Sequence, residues 1–177
     1  MSVYNTLAPV VLEPAAQAFV EATAEPPFLY ELTPAEARTV LADVQSAPID
    51  KLPVDERWIT VPAEVGDVRV RLVWPHHTGP IPVILYMHGG GWVLGDAGTH
   101  DRLVRELAVG AGAAVAFVEY DRSPEARYPV AIEQGYATAQ WLTREGSIYG
   151  HDITRIAVAG DSVGGNMTAA LTLMAAD

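Results

Sequence analysis

The 177-residue sequence has no cysteine, which excludes disulfides, thiolate metal sites and a cysteine nucleophile. It is also short of positive charge: 11 Lys and Arg stand against 22 Asp and Glu, for a formal net charge of −11. That balance repels phosphate backbones and anionic lipid heads, and no basic stripe overrides it, so nucleic acid is not an expected partner. No stretch approaches the ~18 apolar residues needed to cross a bilayer, so membrane insertion is not expected either. The opening MSVYNTLAPVVLEPAAQ lacks a basic region followed by a continuous apolar core, and a cytoplasmic protein is expected. What the chain does have is apolar bulk: half its residues are hydrophobic and 19% charged, the composition of a globular domain rather than a disordered segment.

Residues 1–50 differ in texture from the rest, being rich in Ala, Glu and Pro, and they are expected to form an N-terminal set of helices. In LTPAEARTVLADV, Thr33 reads as an N-cap, Pro34 as the first helical residue and Glu36 as the partner in a capping box. From 51 to 177 the pattern alternates. RWITVPAE and DVRVRLVWP read as strands joined by a turn at Gly66 and Asp67, and PVILYMH, AAVAFVEY and RIAVAG as strands buried on both faces. Helical spacing fills 99–110, 129–144 and the residues after Ser162. Strands alternating with helices predict an α/β fold, a mostly parallel sheet with helices on both faces.

Two motifs carry chemistry. GDSVG fits G-x-S-x-G, with Gly160, Ser162 and Gly164 in the defining places, and it lies between the strand RIAVAG and a small-residue helix. That context predicts a nucleophile elbow: the serine sits on a sharp turn that lifts its hydroxyl above the sheet, and neighbouring side chains would collide unless they are glycine. The competing reading is a plain strand-to-helix turn with Ser162 as N-cap. The second motif, MHGGGWVLGD, follows PVILYMH. Successive glycines let several amides point into one cavity, which suits the negative oxygen of a tetrahedral intermediate. Gly90 and Gly91 are assigned as donors with Val163, while Gly89 shapes the turn and Asp161 supports the elbow. The Lys-Ser/Thr of a phosphate loop and the G-x-G-x-x-G spacing of a dinucleotide fold are both missing.

None of the histidines reads as a catalytic base or a metal ligand. His88 ends a buried strand, where its ring should hydrogen-bond the loop. His76 and His77 lie in a Pro-bounded loop, His100 falls in a helix start capped by Thr99 or Asp101, and His151 falls in a loop ahead of a strand. Neither a metal nor a cofactor is expected.

With both motifs in view, the chain resembles the bacterial hormone-sensitive-lipase-type (family IV) esterases of the α/β-hydrolase fold. HGGGW at 88–92 is similar to their oxyanion motif, GDSVGG at 160–165 to their nucleophile elbow and PPFLYELTPAEAR at 26–38 to their cap segment. EYDRSPEARYPVAIEQ resembles their Tyr-Arg-Leu-Ala-Pro-Glu signature at Tyr120, Pro124, Glu125 and Pro129, and departs from it at Asp121, where the signature has arginine. The resemblance implies hydrolysis of short- to medium-chain acyl esters by a Ser–Asp–His triad without a cofactor, with residues 1–50 as cap helices and 51–177 as the N-terminal part of the core.

In that fold the acid and the histidine follow the serine in chain order, and no counterpart of either stands in this sequence. The expectation is therefore an N-terminal portion of a longer esterase, inactive or nearly so alone, whose partners are an ester substrate and the remaining half of the fold, in the same or a separate chain. Association with a second copy is left open. The alternative is a receptor-like relative that binds a small molecule without turning it over.

Overall fold

Alternating Val, Ile and Leu on either side of Gly66 fold into an antiparallel pair, β1 (Asp55–Val61) and β2 (Val68–Trp74). This is a computed structural model, and it describes residues 11–176. The tight turn of the pair falls earlier than Gly66-Asp67. The Gly66 amide donates to the Ala63 carbonyl at 3.1 Å, Glu64 and Val65 form the corner, and Gly66 leaves it at φ +116°, a conformation that suits a residue without Cβ.

The remaining elements are β3 (Ile81–Met87), α3 (Asp101–Ala111), β4 (Ala114–Glu119), α4 (Val130–Glu145), β5 (His151–Gly160) and α5 (Val163–Met174). The five strands lie in the order β1-β2-β4-β3-β5. β3 is parallel to both its neighbours, β4 and β5, whereas β2 is antiparallel to both of its own. The expected parallel sheet is thus the β4-β3-β5 half, and the hairpin extends it as an antiparallel flank.

Strand alternation sorts the core into two layers. Val73, Tyr86, Val115 and Phe117 pack with Val104 and Ala108 of α3 on one face. Leu72, Leu85, Met87 and Ala116 pack with Leu142 of α4 and Met167 and Leu171 of α5 on the other. Both faces are covered, as an α/β sheet requires.

The chain divides into two compact units between Thr33 and Pro34, so the 1–50 segment is shared between them. The first contains α1 (Pro14–Ala22) and a single 3-10 turn, Leu29–Glu31, beside which the Phe28 and Tyr30 rings stack 5.5 Å apart. The second opens with α2 (Pro34–Val44), which begins at the expected proline.

An ion cluster fixes α3 to the sheet. Arg71 of β2 is buried and pairs with Glu56 and, at 2.6 Å, with Asp101, which also binds Lys51 and Arg105 at 2.6 and 2.9 Å. Burial alone would raise the Asp101 carboxyl, but hydrogen bonds from the three cations outweigh it and bring it down to about 2. Asp101 is therefore not available to cap α3. The Thr99 hydroxyl is bonded to Asp96, and the N-cap position is His100, with no side-chain cap bond.

His151 also departs from expectation. It is the first residue of β5 and is buried, with Trp74 edge-on at 5.9 Å, Tyr149 stacked at 6.4 Å and, among the described residues, no hydrogen-bond partner for either ring nitrogen. Burial lowers its pKa, and His77 adds repulsion. The folded state therefore holds fewer protons than the unfolded one, so stability is full above about pH 6.5 and falls as the pH drops below it. Urea midpoints measured between about pH 7.5 and pH 5 should decline in the parent and decline less in His151→Phe. Coincident slopes would contradict this account of His151, since the contribution of His88 is common to both proteins.

Candidate active site

Gly160 of β5 lies opposite Met87 of β3 in the parallel ladder, so the chain leaves the two strands side by side. Two residues further on, Ser162 takes φ +51° and ψ −119°, a combination that a residue with a side chain adopts only when its surroundings enforce it. The surroundings do so here. A Cβ on Gly160 would overlap the backbone of Gly164 and the Met87 carbonyl oxygen, and one on Gly164 would overlap the same oxygen. The Gly164 amide closes the turn onto the Asp161 carbonyl at 2.7 Å. Ser162 is exposed at the N-terminus of α5 and makes no side-chain cap bond, so its hydroxyl is not used as the alternative reading required.

The glycine run lies beside this turn. Gly90, Gly91 and Trp92 have φ of +113°, +64° and +60°, and the Val93 and Leu94 amides both fold back onto the Gly90 carbonyl, at 3.1 and 2.8 Å. Among the described residues no backbone carbonyl accepts from the amides of Gly90, Gly91 or Val163. The Gly89 amide points elsewhere, donating to the Asp161 carboxylate at 2.9 Å, and the Tyr86 hydroxyl donates to the same oxygen at 2.8 Å. Asp161 thus ties the glycine run to the serine turn, and a Cβ on Gly89 would push that carboxylate out of its place.

His88 stands under the loop. Its ring is fully buried and stacks on Tyr120 and Phe117, with centroids 4.1 and 5.2 Å away, and its Nδ1–H donates to the Gly89 carbonyl at 2.7 Å. Burial lowers its pKa to about 4, against the pull of that carbonyl, so the ring is a neutral prop. His76 and His77 precede β3 and His151 opens β5, at the opposite end of these parallel strands from Ser162. His100 lies nearer, its Nε2 3.7 Å from Asp161. Among the described residues no histidine hydrogen-bonds Ser162, and no group of three His, Asp or Glu could hold a metal.

A cavity of about 300 Å³ adjoins the loop, lined by Gly91, Trp92, Val93, Ser123, Tyr128 and Ile132. Sequence reasoning did not find it, because its walls come from two separate loops and the start of α4. Asp121, where the esterase signature has arginine, pairs with Gln134: its amide donates to Gln134 Oε1 and its carboxylate accepts from Nε2, both at 2.8 Å. Glu125 is paired with an arginine of α2: Arg38 donates to both of its carboxylate oxygens at 2.8 Å. No sequence pattern marked that residue.

The family described as the alpha/beta hydrolase fold matches residues 84–177. Esterase LipI of Mycobacterium tuberculosis is 42% identical over 144 residues, which is 79% of this chain and 44% of that protein. An acetyl esterase of Salmonella schwarzengrund is 39% identical over 121 residues, 68% of this chain and 37% of its own. Among solved structures, a thermostable esterase from Pseudomonas putida superposes with a TM-score of 0.87 at 43% identity, over 96% of this chain and 55% of that one. The chain spans about half the length of the curated relatives it matches.

The turn's packing makes a contrast that can be measured. Gly164→Ala forces a methyl group into a backbone carbonyl and should cost about 1–3 kcal/mol in urea unfolding. One residue later, a Cβ on Gly165 meets nothing closer than 3.4 Å, so Gly165→Ala should be neutral or should stabilise by up to about 1 kcal/mol through helix propensity. Equal effects at the two positions would contradict the packing described.

Proposed function

Because this chain belongs to the α/β-hydrolase fold family, in its hormone-sensitive-lipase-type esterase branch, we propose that it forms the nucleophile-bearing part of a carboxylesterase acting on short- to medium-chain acyl esters. Residues 1–50 are read as its cap helices and 51–177 as the N-terminal part of its core. Ser162 Oγ attacks the ester carbonyl carbon while a histidine takes the hydroxyl proton. The carbonyl oxygen becomes negative and is held by the amides of Gly90, Gly91 and Val163, each such donor being worth about 3–4 kcal/mol in the transition state. Collapse of this intermediate expels the alcohol, which receives the proton from the histidine, and leaves an acyl-enzyme on Ser162. Water, deprotonated by the same histidine, then releases the carboxylate and restores the hydroxyl.

The histidine and its orienting acid are assigned to a segment outside residues 1–177: His76, His77 and His151 lie at the other end of the strands, His88 is buried under the loop, and His100 is held through Nδ1 beside Thr99 and Asp96. No cofactor enters this acid–base chemistry. The observation that carries the reading is the uncapped, exposed hydroxyl of Ser162 on a strained turn beside amides that, among the described residues, donate to no backbone carbonyl. A binding protein would gain nothing from maintaining that strain.

The test is hydrolysis of p-nitrophenyl butyrate by the full chain with its histidine-bearing segment. Ser162→Ala should lower kcat by at least ~10³-fold while the protein stays folded. Activity that survives the substitution would remove the assignment, and saturable ester binding without turnover in the parent would favour the receptor-like alternative.

A further inference from the structure

One side chain of α2 reaches the loops around the site. Arg38 donates from Nε to the Val93 carbonyl and from Nη2 to the Ser123 carbonyl, both at 2.8 Å, while Nη1 and Nη2 grip Glu125. A single planar fork therefore joins the loop after β3 to the loop after β4. The Arg38 side chain is only 19% exposed, and its bonds to the Val93 and Ser123 carbonyls are partly buried, whereas Glu125 holds the fork from the solvent side. The hydrogen bond from Arg38 is also the main reason the Glu125 carboxyl is held well below the usual carboxylate range.

The fork meets the glycine run at its most strained point. Trp92 is a bulky residue at φ +60°, and such a conformation persists only where the surroundings over-determine it. The Trp92 carbonyl accepts from the Ser123 amide at 2.8 Å, and the next carbonyl, that of Val93, accepts from Arg38. Ser123 is thus bound to the glycine loop through its amide and to Arg38 through its carbonyl, which closes a small ring of bonds around Trp92 and Val93.

We propose that Arg38 is a positioning residue of the oxyanion site, holding the Gly90–Trp92 arc so that the Gly90 and Gly91 amides meet the reacting oxygen. The proposal rests on the reading of Ser162 as nucleophile. The segment that resembles a substrate cap thereby carries a brace for catalysis. The fork serves directions that a lysine ammonium cannot serve together, because guanidinium presents its donors in one rigid plane. A shift of about 1 Å in such donors can cost about 10²-fold in rate.

The experiment compares Arg38→Lys and Arg38→Ala with the parent in the full chain. Active-site titration with a fluorophosphonate gives kcat per competent site, and hydrogen exchange is followed in the peptide covering 88–95. Arg38→Lys should keep the fold, lower kcat per titrated site by about 10-fold or more with a smaller change in KM, and speed exchange within 88–95. Affinity for a trifluoromethyl ketone, which mimics the tetrahedral oxygen, should fall in parallel. Arg38→Ala should behave in the same way, with a larger loss.

Parent-like kcat per titrated site, or unchanged protection of 88–95, would overturn the proposal. So would a loss confined to the number of competent sites, because that is the signature of a merely structural staple. Ser162→Ala run alongside separates the two readings. If it retains activity the nucleophile assignment fails, whereas if it is dead and Arg38→Lys is unaltered only the brace fails.

Discussion

The site depends on one steric constraint: the first turn of α5 lies against the end of β3 with no room for a Cβ between them. Gly160 and Gly164 both abut the Met87 carbonyl, and that contact decides how sharply the chain turns at Ser162. Had either position carried a methyl group, α5 would stand further from the sheet and the serine would have no reason to leave ordinary backbone geometry. The same contact sets the turn beside the loop that follows β3, close enough for the Asp161 carboxylate to hold the Gly89 amide. Ser162 and the glycine run are thus placed by two adjacent strand ends rather than by a separate scaffold for each.

Around this centre, four of the eleven basic side chains of a strongly acidic protein are committed to partners inside the fold. Arg71 and Arg105 meet Asp101 under α3, Arg122 donates to the Gly95 carbonyl, and Arg38 joins two loops. Arginine fills each of these places, where a planar set of donors can bind a carbonyl and a carboxylate together. The charge imbalance that argues against a nucleic-acid partner therefore coexists with an interior knit together by cations.

Much of this was legible in the sequence, because the physics behind it is local. Continuous apolar runs gave β3 and β4, and G-x-S-x-G between a strand and a small-residue helix gave the turn at Ser162. The bend of the glycine run and the retirement of His88 into the loop also followed from residue chemistry alone. What stayed hidden depends on chain segments meeting across long separations. The Arg38 bonds span 55 to 87 residues, and an arginine on a helix face offers no pattern that distinguishes a brace from a solvated charge. The antiparallel pairing of β2 with β4 was invisible for the same reason, as was the burial of His151 against Trp74 of β2.

The strand order β1-β2-β4-β3-β5 has a kinetic meaning as well. β1-β2 and β3-β4 are consecutive strands that lie side by side, but β3 and β4 are parallel and separated by a helix, so among the described strands the hairpin alone assembles without closing a long loop. β3 cannot find β4 until α3 has been traversed, nor β5 until α4 has followed. Pairings this remote in sequence place the protein among the slower folders, with apolar strands unpaired during the search. On this topology the hairpin can pair locally, whereas the strand that leads to Ser162 must wait for a partner far away in sequence.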